Sequence, residues 1–167
     1  QWRTVARFAG PFPIQERETP IFSLAVDQRG VIYLAAAAAE RKTAIYASRD
    51  GGQSFAQLAS VEAFATSLAP SLFVTSRGEL LLFANQKSGE YLSLRYALSR
   101  DGATWSSFQP LVSDGQVPTN FLAHHAVFGG RDYVVYQTLR SGEQRYHLQI
   151  MSSLDGGWTW GAARPLD

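Results

Sequence analysis

The apolar positions of this chain come in short runs, not in helical stripes. Runs rich in Val, Leu, Ile, Tyr and Phe occupy 22–26, 31–37 and 44–47, then 71–75, 79–84 and 92–98, then 125–128, 133–137 and 146–151. Turns containing glycine divide the first two runs of each triplet: Gln28-Arg29-Gly30, Arg77-Gly78 and Gly129-Gly130. Short β-rich runs bounded by such turns predict antiparallel strands. The alanines of Val31–Ala39 would also suit a helix. The matching runs Glu79–Ala84 and Tyr133–Gln137 are strand-like, so a strand is expected there too. A polar turn and a fourth short run, at 56–61, 106–112 and 161–166, complete each group.

The polar turns are themselves repeats. They read Ser48-Arg49-Asp50-Gly51-Gly52-Gln53-Ser54-Phe55, Ser99-Arg100-Asp101-Gly102-Ala103-Thr104-Trp105 and Ser153-Leu154-Asp155-Gly156-Gly157-Trp158-Thr159-Trp160. Their aspartates recur roughly every fifty residues. Four strands at that period describe a β-propeller blade. The expected fold is therefore all-β, a propeller of four-stranded antiparallel blades with three blades present, spanning 20–61, 70–112 and 122–167. Trp2-Arg3-Thr4-Val5-Ala6-Arg7-Phe8 resembles the run after each polar turn, so residues 1–9 are expected to form the outer strand of a neighbouring blade.

In a hairpin turn of this kind the aspartate and serine oxygens can accept backbone N–H bonds, and glycine supplies a positive φ. The closing aromatic can bury its ring between sheets. The expected role of Ser48, Asp50, Gly52, Phe55, Ser99, Asp101, Gly102, Trp105, Ser153, Asp155, Gly157 and Trp160 is thus structural.

Composition narrows the function classes. Apolar residues make up 46% and charged residues 17%, the balance of a folded chain. A net charge of +1 with no long basic run argues against a nucleic-acid surface. No apolar stretch is long enough to span a bilayer. The absence of cysteine excludes disulfides and thiolate metal sites. Adjacent His124 and His125 would point to opposite faces of a strand, so no histidine metal site is expected. No cofactor is expected either. Arg145-Tyr146-His147 alternates along a predicted strand and suits cross-strand pairing better than base stacking. The chain opens at Gln1 without Met and reads as a processed or excised sequence.

The three polar turns and their flanking strands resemble the Asp-box, or BNR, repeats of sialidase-like propellers over nearly the whole chain. The second turn departs by one residue between Asp101 and Trp105. The resemblance implies a ligand face opposite the Asp boxes, built from the links between blades and the loops between second and third strands. Candidate binding groups there are Arg17, Glu18, Glu40, Arg41, Lys87, Glu90, His124 and Arg140. Sialidases of the family also carry an Arg-Ile-Pro signature, an acid/base aspartate, further arginines and a tyrosine nucleophile paired with a glutamate. Arg17-Glu18-Thr19-Pro20 has one residue too many for that signature, and Glu40-Arg41-Lys42 offers no aspartate. No catalytic residue is assigned.

The leading reading is a non-catalytic module that binds a glycan or a protein through this loop face. The alternatives are a fragment of a sialidase-type glycoside hydrolase, with its catalytic residues largely outside this chain, and a protein-assembly scaffold resembling photosystem assembly factors or sortilin-type receptors. The resemblance also favours an extracytoplasmic location, secreted or periplasmic. Sialidase propellers usually have six blades, so three leave two sheet faces uncovered. Either the chain is part of a longer protein, or a homodimer closes the propeller, with Trp2–Phe8 completing a blade of the partner.

Overall fold

In the computed structural model, residues 22–38, 42–62, 70–88, 91–112, 119–139 and 142–166 are described. They form twelve strands in three four-stranded antiparallel units. Unit one holds β1 (Phe22–Val26), β2 (Ile32–Ala38), β3 (Lys42–Ser48) and β4 (Ala56–Glu62). Unit two holds β5 (Ser71–Val74), β6 (Leu80–Ser88), β7 (Tyr91–Ser99) and β8 (Gln109–Pro110). Unit three holds β9 (Thr119–Phe128), β10 (Arg131–Leu139), β11 (His147–Ser153) and β12 (Arg164–Pro165). A single parallel pairing, Leu92 with Thr119, joins the second unit to the third. The segment expected to form a neighbouring outer strand, 1–9, lies outside the described residues.

The alanine-rich run is a strand. Tyr33, Ala35 and Ala36 are buried within it, and small side chains there let the next sheet approach closely. The outer strands differ from expectation. In place of the runs 106–112 and 161–166, pairing covers two residues in each of β8 and β12. Pro110 and Pro165 each withhold one N–H from the ladder, while single backbone bonds continue on either side, from Ser106 to Leu98 and Leu111 to Leu94, and from Gly161 to Ser152 and Leu166 to Leu148. β4, without proline, pairs over seven residues.

Two seams hold the units together. The first joins Ala25, Tyr33, Ala35 and Ile45 of unit one to Leu72, Leu80 and Leu82 of unit two, with Trp105 packed against it. The second joins Leu81, Phe83, Leu94 and Tyr96 of unit two to Val134, Tyr136 and Met151 of unit three, with Trp160 packed against it. Trp160 meets Tyr96 edge-on at 6.3 Å between ring centroids, and Phe83 at 6.4 Å. Alternate residues of β6 thus enter opposite seams, which is why Leu80-Leu81-Leu82-Phe83 is apolar without a break.

One polar group interrupts the second seam. Register places Asp132 where Leu80 and Ile32 stand in the other units, since each pairs with the serine that opens its own polar turn. Asp132 is fully buried. Its carboxylate accepts the Ser76 amide at 2.8 Å and the Ser76 hydroxyl, and lies 2.8 Å from His125 Nε2. Ser76 belongs to unit two and His125 to unit three, so this carboxylate clasps one unit to the next. Replacing Asp132 with Ala strands the buried His125 ring and the half-buried Ser76, and the expected cost is about 3 kcal/mol. Chemical denaturation of Asp132→Ala beside Asp132→Asn checks this, with the amide variant retaining part of the lost stability.

Candidate functional site

Antiparallel order sorts the connections between two rims. The β1–β2, β5–β6 and β9–β10 turns share one rim with the three polar turns. The links between units and the turns between second and third strands join strand ends at the opposite rim.

The polar-turn rim is a set of closed hydrogen-bond circuits. In the first turn the Gly52 amide donates to Ser48 Oγ at 2.8 Å, the Ser48 hydroxyl donates to Asp50 at 2.7 Å, and the Ser54 amide donates to Asp50 at 3.0 Å. In the third, the Gly157 amide donates to Ser153 Oγ, and the Ser153 hydroxyl and the Thr159 amide and hydroxyl donate to Asp155. The second turn, one residue shorter, uses the Ala103 and Thr104 amides on Asp101 at 2.8 and 2.7 Å. Its Trp105 indole donates to the Gly102 carbonyl at 3.0 Å. Gly102 combines a positive φ of 76° with close approach: a Cβ there would stand 2.8 Å from a Leu58 methyl.

These donors set the charge of the rim. The Ser54 hydroxyl, its amide and the Ser48 hydroxyl hold the Asp50 carboxyl far below the usual range. Partial burial works to raise Asp155, yet the Thr159 hydroxyl and amide outweigh it and bring the group to about 2. The Thr104 and Ala103 amides lower Asp101. Asp27 is lowered too: the Val31 amide and the Arg29 side chain overcome its desolvation. All four remain ionised at neutral pH, and each is committed to its own turn, a poor arrangement for proton transfer to a substrate.

The rim also ties unit to unit. Glu79 accepts the Trp158 indole at 2.7 Å and the Arg100 guanidinium at 2.8 Å. The Tyr96 hydroxyl donates to the Trp158 carbonyl at 3.3 Å. Sequence reasoning missed this cluster and the Asp132 clasp. The usable signal was an acid, Asp132, at a repeat position that is Ile32 or Leu80 elsewhere.

Of the residues expected at the opposite rim, Arg17, Glu18, Glu40, Arg41, Glu90 and Arg140 lie outside the described residues. Lys87 stands within β6, in register with Leu92. His124 was expected in a loop but lies within β9, because that strand pairs with β10 from Thr119 onward. There it is exposed opposite Val135, while His125 turns inward to Asp132 and within 5.4 Å of the Phe73 ring. His147 pairs with Thr138 in the ladder and bonds Glu143, whereas Arg145 and Tyr146 precede the strand. Among the described residues no group of three acids, histidines or cysteines could hold a metal, and no helix is long and apolar enough to cross a membrane.

No family model and no curated protein matches the chain. Solved structures do. An α-L-arabinanase from Penicillium chrysogenum, complexed with arabinobiose, superposes with a TM-score of 0.71 at 17% identity, over 95% of this chain and 52% of its own. A Fusarium graminearum GH93 α-L-arabinofuranosidase with arabinobiose gives 0.70 at 15% identity, over 96% and 52%. The three units are β-propeller blades. A Hadza microbial sialidase shares the fold at 0.66 and 18% identity, over 88% of this chain and 37% of its own. The chain spans about half the length of the two arabinan-related enzymes.

The lowered carboxylates make propeller stability depend on pH in a defined direction. A group whose folded value is depressed contributes above its unfolded value and loses that contribution as pH falls through the folded one. Melting temperature should therefore stay level above about pH 5 and drop between about pH 4 and pH 2. Asp155→Asn should flatten part of that drop. A thermal melt series across this range measures both.

Proposed function

We propose that the chain is a sialidase-like Asp-box propeller module that binds a glycan at the rim opposite its Asp boxes, without cleaving it. The observation that carries the reading is the commitment of Asp50, Asp101 and Asp155 to their own turns, which gives these repeated carboxylates a scaffold role. The likeness to propeller enzymes holding arabinobiose supports a small saccharide as the ligand class. The candidate contacts remain Arg17, Glu18, Glu40, Arg41, Lys87, Glu90 and Arg140, while His124 stands in the middle of β9, away from that rim. An extracytoplasmic location belongs to the same reading.

A second reading is favoured by one fact, the coverage of about half of those enzymes. On it, the chain is part of a glycoside hydrolase whose catalytic groups stand on blades outside it. Titration with arabinobiose and with a sialyl-lactose, followed by calorimetry and by release of reducing sugar, separates the two. Saturable binding of one saccharide with no turnover is the expected result. Turnover by this chain would overturn the non-catalytic reading, and failure of both saccharides to bind would overturn a ligand of this class.

A further inference from the structure

We propose that the polar-turn rim carries a saccharide site of its own at the junction of blades two and three, where an uncharged sugar ring stacks on Trp158 and accepts hydrogen bonds from Arg100. The site lies at the rim opposite the loop face and does not depend on the glycan reading given for that face.

Three residues of blade two hold the third polar turn. The Arg77 stem lies over Gly156, where an added Cβ would stand 2.9 Å from Arg77 Cδ, and the Arg77 guanidinium reaches the Leu154 carbonyl at 3.5 Å. The Tyr96 hydroxyl donates to the Trp158 carbonyl, and Glu79 accepts the Trp158 indole N–H. Backbone and ring of Trp158 are both fixed from the neighbouring blade, yet the residue is 41% exposed. A pinned indole with an open side is an apolar platform that loses little rotamer freedom when a ligand lands on it.

The polar part of the site hangs from the same carboxylate. Glu79 Oε2 accepts from Trp158 Nε1 and Glu79 Oε1 from Arg100 Nε, so indole and guanidinium stand side by side. The Glu79 side chain is 11% exposed and that of Arg100 80%. Arg100 is thus held by its Nε, and its two Nη groups remain donors at the surface.

Blade stacking does not require this arrangement. The first polar turn has the same length as the third, with Gln53 at the position of Trp158 and Val31 at that of Glu79. Gln53 donates to the Asp50 carbonyl of its own turn at 3.2 Å, and the first seam is packed without a rim indole. The position also stays open when a further blade follows, since Gln53 is exposed with blade two beside it.

Charge selects the ligand class. Glu79 balances Arg100, and ionised Asp101 and Asp155 stand on the second and third turns. An anionic ligand would meet those carboxylates, and a purely apolar one would leave the Arg100 donors without acceptors. A neutral sugar offers a C–H face to the indole and hydroxyl oxygens to the guanidinium.

Titration with arabinobiose and with cellobiose, followed by NMR of the indole N–H groups, tests the site. The chain has four tryptophans, so the Trp158 signal is identified by its loss in Trp158→Phe. At least one of the two neutral disaccharides should shift that signal saturably. Arg100→Ala, at an exposed position, should weaken the binding about tenfold and leave the rest of the free-chain spectrum in place. Saturable binding that leaves the Trp158 signal unmoved would put the sugar at the loop rim alone and overturn this site. No shift with either disaccharide, unchanged affinity in Arg100→Ala, or tighter binding of digalacturonic acid would overturn it as well.

Discussion

A sheet with two apolar faces is buried only when it lies between two others, and β6 makes that demand most fully. Leu80 and Leu82 enter one seam while Leu81 and Phe83 enter the other, all of them buried. At about 25 cal/mol per Å² of apolar area removed from water, this double burial outweighs any single polar contact in the chain. The other features serve it. Polar turns fix strand ends so that sheets stack in register, and alanines in β2 let the first two blades approach.

The polar turns act on that stacking twice. Within a blade they satisfy amides that a tight turn would otherwise leave without partners. Between blades they deliver aromatics: Trp105 packs into the first seam and Trp160 into the second, each leaning on the preceding blade. Asp132 and Glu79 add direction to an otherwise apolar junction. A buried carboxylate with three donors fixes register more strictly than a leucine, because a slip leaves its partners stranded.

Much of this was legible in the sequence. The apolar runs, the spacing of Asp50, Asp101 and Asp155 and the Gly turns sufficed for four strands per unit, and comparison across repeats turned Val31–Ala39 from an ambiguous alanine run into a strand. What escaped depends on contacts far apart in the chain. Asp132 meets Ser76 across fifty-six positions, and no local pattern announces such a pair. The two-residue outer strands escaped because propensity was read over whole runs while Pro110 and Pro165 limit pairing locally. His124 was taken for a loop residue because β9 begins earlier than its apolar core suggests. The ligand rim was the least legible, since specificity there depends on loop side chains that strand periodicity does not govern.

The central claim is that seam burial, not the individual blade, holds the chain together. Amide hydrogen exchange tests it directly. Amides of Leu80–Phe83 should exchange slowest in the molecule, at the rate of global unfolding, with those of β8 and β12 fastest among the strands. Exchange in β6 as fast as in the outer strands, or separate unfolding of the three blades, would contradict it.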